Sequence, residues 1–97
     1  MLFRSFLLNP TKGFGKKYKK LTKNNKKLTE ILIQKISDLS EDPLLPSLLS
    51  HKVTTPKFGE CFSSRVTGDI RIIWRYDSYN QLEILELLDL GGHDEVY

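Results

Sequence analysis

One cysteine, Cys61, among 97 residues is too few for an internal disulfide or a thiolate-built zinc site, and the reduced state it implies suits a cytosolic chain. The opening residues, Met1 to Leu8, are apolar but short and broken by Arg4, which excludes the pattern of a signal peptide. No later apolar run reaches the roughly 18 residues that a bilayer span needs. The expectation is therefore a cytoplasmic protein without membrane contact. Also missing are internal repeats, low-complexity tracts and any glycine-rich phosphate loop. Nothing in the residues calls for a metal or a cofactor. At this length a single domain over 1–97, with a modest core, is expected.

Acidic residues are scarce at the start. Residues 1–40 carry ten Lys or Arg against two acids, a net +8, whereas residues 41–97 carry five against ten, a net −5. A cluster such as Lys16, Lys17, Lys19, Lys20, Lys23, Lys26 and Lys27 can attract nucleic acid phosphates or an acidic protein partner through Coulomb steering that salt weakens. The plain alternative is a solvated helix surface.

What is present in strength is strand character between Arg65 and Tyr76. From Ile70 onward, Ile70, Ile72, Trp74 and Tyr76 alternate with Arg71, Ile73 and Arg75, which predicts an apolar core face and a face with two arginines. Charged side chains are seldom placed inside a sheet without partners, so an anion is the natural guest of the second face. The polar stretch Asp77 to Gln81 reads as a hairpin loop, and Leu82 to Leu90 as the returning strand. Gly91-Gly92-His93-Asp94-Glu95-Val96-Tyr97 then emerges at the end of the hairpin where Arg65 to Asp69 enters it.

Upstream, Phe3 to Asn9 can form a first strand that Pro10 ends. Asn9 or Thr11 caps a helix with Phe14, Tyr18 and Leu21 on one face, and a second helix, to about Leu39, presents Leu28, Ile31, Leu32, Ile36 and Leu39. Pro43, Pro46 and Pro56 mark a connector that carries His51 and Lys52 at its far end. Cys61 to Ser64 reads as a strand leading into the central one. The order β-α-α-β-β-β gives an α+β fold, two N-terminal helices packed on a small antiparallel sheet.

The segment Ser64-Arg65-Val66-Thr67-Gly68-Asp69-Ile70-Arg71-Ile72-Ile73-Trp74 and the tail Gly91 to Tyr97 resemble the RelE/ParE superfamily of bacterial type II toxins, in particular its mRNA-interferase, YafQ-like branch. The resemblance implies a ribosome-dependent, metal-independent endoribonuclease that cuts mRNA and is silenced by a cognate antitoxin protein. Residue by residue it implies site roles for Arg71 on the central strand, for His93 and Tyr97 in the tail, for His51 before the sheet, for Asp69 just ahead of the strand, and for Arg65 where some members have a histidine. The +8 and −5 charge split adds the expectation that the helix lysines dock on ribosomal RNA phosphates. The family's lysines on the preceding strand are missing here, since that strand reads Cys61-Phe62-Ser63-Ser64, and this shifts the expected acid or base work to histidine.

The chemistry stands apart from the family. Metal-free RNA cleavage needs a base for the 2′-hydroxyl proton, a cation for the charge that builds on the phosphate, and an acid for the 5′-oxygen. Histidine, with an ordinary pKa of about 6.5, suits the first or last task, and arginine the second. Each residue also has a structural reading. His93 can cap a strand end, Arg71 can pair with Glu83, Glu86 or Asp89, and Tyr97 can stack on a base, donate a hydrogen bond or tether the tail. Asp94 and Glu95 read as structural or antitoxin-facing. Two further functions stay open: a ParE-like, non-catalytic toxin acting on DNA gyrase, and an inactive RNA- or antitoxin-binding module of the same fold.

Overall fold

A computed structural model describes residues 6–79 and 82–97. Its elements are strand β1 (Leu7–Pro10), helices α1 (Lys12–Thr22) and α2 (Lys26–Glu41), a 3-10 turn at Pro46–Leu48, strands β2 (His51–Thr55), β3 (Gly59–Arg65), β4 (Ile70–Tyr79) and β5 (Leu82–Gly92), and a one-turn helix α3 (His93–Val96). The five strands form one sheet in the order β1-β5-β4-β3-β2. The expected α+β arrangement is the one found. Within it the sheet is mixed, because β1 runs parallel to β5 while every other pair is antiparallel.

Two elements differ from the sequence reading. The connector contains β2, with His51 on it, because Gly59 adopts φ 69 and turns the chain so that His51 to Thr55 pair with Ser63 to Gly59. The hairpin loop is shorter than Asp77 to Gln81, since pairing of β4 with β5 continues to Tyr79 opposite Leu82. Its two remaining residues, like the Phe3 to Ser5 part of the expected first strand, lie outside the described residues.

Helix starts follow the capping rules. Thr11 Oγ1 accepts from the Phe14 amide at 3.1 Å, and Asn25 Oδ1 accepts from the Leu28 amide at 3.1 Å. Thr11 does more. Its amide donates to the Leu87 carbonyl at 2.9 Å and its hydroxyl to the Leu88 carbonyl at 3.0 Å. These bonds bolt the start of α1 to β5 beside the register shift at Ile73/Trp74, which leaves Leu88 as an extra residue in β5.

Both helices cover one face of the sheet, where Phe14, Leu32, Leu39, Ile72, Trp74, Leu85, Leu87 and Leu90 make the main core. Tyr76, expected in that core, is 44% exposed because it lies towards the open end of β4, although its ring still meets those of Phe62 and Trp74. Leu44 and Leu49 are exposed too, while Leu48 carries the burial of their segment. The opposite face has a second, smaller cluster of Cys61, Ile73, Leu88 and Val96. Ile73 therefore does not sit as a lone apolar residue among arginines: α3 brings Val96 down onto it.

Polar groups in the main core are satisfied in a chain. Trp74 Nε1 donates to Ser64 Oγ at 2.7 Å, the Ser64 and Ser50 hydroxyls share a bond of 2.6 Å, and Ser50 donates to the Pro43 carbonyl at 2.6 Å. Ser64 and Trp74 are both fully buried. Replacing Ser64 by Ala strands the indole N–H without water, at a cost of about 1–3 kcal/mol. Urea unfolding of Ser64→Ala is expected to give a lower midpoint with an unchanged slope.

Candidate functional site

The face opposite the helices is assembled by register. His51 pairs with Ser63, and Ser63 with Ile73; one step further along, Arg65 pairs with Arg71, and Arg71 with Gly91. Cross-strand partners point to the same side of a sheet, and Ile73 belongs to the cluster on this face. His51, Ser63, Arg65 and Arg71 consequently share it. Helix α3, continuing directly from β5, adds His93 and Tyr97.

The turn between β3 and β4, Val66 to Asp69, fixes the arginines. Thr67 Oγ1 accepts from the amides of Asp69 at 3.3 Å and Ile70 at 3.0 Å, and Val66 is buried as an apolar anchor. The Thr67 carbonyl points back between the strands, accepting from Arg65 Nε at 3.2 Å and from Arg71 Nη1 at 2.7 Å. Two like charges directly opposite one another repel. Here one neutral oxygen holds both.

Carboxylates are engaged elsewhere. Glu86 pairs with Arg75 at 2.8 Å, and Asp89 pairs with Lys17 at 2.6 Å. Among the described residues neither Arg65 nor Arg71 has an ion-pair partner. The Asp89 contact removes Lys17 from the freely solvated lysines, whereas Lys16, Lys19, Lys20, Lys23, Lys26 and Lys27 are exposed as expected. Those lysines lie on the helix side of the sheet, and the two arginines on the other.

The remaining residues that the sequence picked out take distinct places. Asp69 packs its carboxylate against Gly92, where a Cβ would stand only 3.0 Å from Oδ2, and Oδ1 accepts from the His93 amide at 3.5 Å. It grips the backbone at the start of α3 rather than the imidazole. Glu95 lies over Gly91, the partner of Arg71, and its Oε1 accepts from the Gly92 amide at 3.4 Å. The His93 imidazole is exposed and stands edge-on to the Tyr97 ring, with centroids 4.5 Å apart. The Tyr97 hydroxyl donates to Ser63 Oγ. His51 is exposed, with Nδ1 3.1 Å from the Leu49 carbonyl. A carbonyl only accepts, so in the neutral ring that bond puts the proton on Nδ1 and the lone pair on Nε2.

Two further residues of this face escaped the sequence reading. Ser63 and Thr67 carried no role there, yet one receives Tyr97 and the other both guanidiniums; the visible signal was a polar residue at an inward position of β3. Cys61 lies in the same face's apolar cluster, but burial pushes its thiol up, against lowering contributions from a Thr55 hydrogen bond and from Arg75. It stays protonated and is no nucleophile at neutral pH. No three His, Cys, Asp or Glu side chains among the described residues group closely enough to hold a metal ion.

No protein-family model and no curated protein sequence matches the chain. Solved structures do. A YoeB/ParE toxin from Agrobacterium tumefaciens superposes with a TM-score of 0.74, at 16% identity over 91% of this chain and 99% of that one. A metal-bound toxin from Helicobacter pylori gives 0.73 at 25% identity, over 95% and 99%. A chain of the E. coli DinJ-YafQ toxin-antitoxin complex gives 0.67 at 20% identity, over 96% and 98%. Two helices against a five-stranded mixed sheet are thus the architecture of known toxins. The fold of this chain is the one these toxin structures share.

The unpaired, facing arginines generate a direct prediction. An oxyanion that bridges them relieves their repulsion, so inorganic phosphate is expected to stabilise the protein by about 1 kcal/mol, roughly 4–8 °C in melting temperature for a domain of this size. Arg71→Gln should abolish most of that shift and melt at or above the parent without phosphate. An equal shift in parent and variant would place anion binding elsewhere.

Proposed function

We propose that this chain is the toxin of a type II toxin-antitoxin pair and that it cleaves mRNA on the ribosome without a metal. The observation that carries the proposal is the presence, on one face, of two arginines without a carboxylate partner among the described residues and two exposed histidines. Arg65 and Arg71 hold the scissile phosphate and neutralise the charge that builds on it. His51, with its lone pair on Nε2, takes the 2′-hydroxyl proton; the 2′-oxygen attacks phosphorus and the bond to the 5′-oxygen breaks. His93 delivers a proton to that leaving oxygen. The products are a 2′,3′-cyclic phosphate and a 5′-hydroxyl, so no water or redox partner is consumed. Asp69 and Tyr97 act on the placement of α3. The exposed lysines of α1 and α2 add sequence-independent affinity for ribosomal RNA phosphates.

The test is induction in a bacterial host with mapping of mRNA 5′ ends. In-frame cuts on translated messages are expected. Supercoiling defects with intact mRNA would instead favour a ParE-like action on DNA gyrase, and neither effect would favour the inactive binding module. His93→Gln should lower single-turnover cleavage about 10²–10⁴-fold, and Arg71→Ala about 10²–10³-fold. Both variants should remain folded, since neither side chain belongs to an apolar cluster. Cleavage near the parent rate in either would remove that residue from the chemistry.

The antitoxin has a fitting place on the helix side. Leu8, Pro10, Phe14, Tyr18, Ile33 and Ile36 line an open apolar groove of about 540 Å³, with Lys19 in its wall. Ile33 is 56% exposed there. In the basic half of the chain, an amphipathic antitoxin segment with acidic flanks matches both the apolar lining and the charge. Ile33→Glu is expected to weaken antitoxin binding at least tenfold while cleavage continues, and parental binding should weaken as salt is added. Binding that ignores both changes would move the antitoxin to another surface.

A further inference from the structure

We propose that Ser63 is a positioning residue for the cleavage, acting through Tyr97 to set the place of the His93 imidazole; this rests on the role given to His93 above. Ser63 lies on β3 and is fully buried. Its partner on β4, Ile73, belongs with Cys61, Leu88 and Val96 to the apolar cluster of that face. An alanine would fill that place as well for folding alone. The hydroxyl instead receives the phenolic O–H of Tyr97, 34 residues away in sequence.

The bond matters because α3 cannot hold itself. A one-turn helix has no intrinsic stability, so the position of His93 depends on what pins the turn. Beyond its own Glu95–Gly92 capping bond, three contacts do so. Asp69 grips Gly92 and the His93 amide, Val96 enters the apolar cluster, and Tyr97 is anchored on Ser63. Of these three, the last also bears on the imidazole: the anchored ring stands edge-on to His93 at an interplanar angle of 77°, while the neighbouring Asp94 Oδ1 lies 3.7 Å from Nδ1. Freed from Ser63, the Tyr97 hydroxyl must find water, which swings the ring out of the half-buried place it occupies.

Ser63 also faces the other histidine's strand. Its partner across β2 is His51. One hydroxyl therefore ties the element that carries His93 to the rung that carries His51, and so sets the separation between base and acid. Errors of about 1 Å in such a separation cost up to 10²-fold in rate. On this account Tyr97 has its hydroxyl committed and takes no part in proton transfer.

The experiment compares the parent with Ser63→Ala, Tyr97→Phe and the double variant by two readouts, the NMR resonances of the His93 ring protons and single-turnover cleavage of a translated mRNA. Each single change is expected to move the His93 resonances away from their ring-current-shifted positions and to slow cleavage 10- to 100-fold. The double variant should be no worse than either single one, because both remove the same bond. Unmoved His93 resonances in a folded Ser63→Ala, or losses that multiply in the double variant, would overturn the proposal. Should Ser63→Ala fail to fold, Tyr97→Phe decides alone by the same resonances. A parent that does not cut RNA at all would defeat the cleavage reading, yet the resonances would still settle whether Ser63 places His93.

Discussion

The arrangement turns on one carbonyl oxygen. Thr67 offers it to two guanidiniums that face each other across β3 and β4 and would otherwise repel. To place that oxygen, the turn from Val66 to Asp69 must be rigid, and it is closed by the Thr67 hydroxyl on two amides and by burial of Val66. The same turn ends in Asp69, whose carboxylate reaches over Gly92 to the start of α3. A four-residue turn thus orients both arginines and clamps the segment that carries His93.

A sheet with one face covered by helices leaves the other to be used. The main core lies between the sheet and α1 and α2 and supplies most of the buried apolar surface, with Trp74, Leu32 and Leu39 fully enclosed. The second cluster is small, three buried sheet residues closed over by Val96 of a single helical turn. That economy leaves room on the second face for cations and imidazoles, at the expense of a weakly held C-terminal segment. Charge follows the same division, with the exposed lysines and the apolar groove on the helix side and Arg65 with Arg71 on the other. On the proposed reading, partner binding and phosphate chemistry then vary separately.

Much of this was legible in the residues. The i, i+4, i+7 stripe of Phe14, Tyr18 and Leu21 and the alternation of Ile70, Ile72 and Trp74 report directly which side chains face the core. The arginines of the second face were visible by the same alternation. Long-range pairings were not. Nothing local in His51 to Thr55 announces a strand, because β2 exists only through its register with β3 and the positive φ of Gly59. Nor does spacing say that Glu86 takes Arg75 and Asp89 takes Lys17, two pairings that engage carboxylates the sequence offered to Arg71. The register shift beside Leu88 decides the second of them. Ser63 was opaque for a like reason: its partner lies 34 residues away.

The central claim is that two arginines and two histidines on one bare face cut RNA by internal attack of the 2′-oxygen. The most direct measurement is the chemistry of the cut ends in messages recovered after induction, read by ligation methods that distinguish terminal groups. The account predicts upstream fragments ending in a 2′,3′-cyclic phosphate and downstream fragments beginning with a 5′-hydroxyl. Fragments with 3′-hydroxyl and 5′-phosphate ends, or uncut messages beside relaxed DNA, would contradict it.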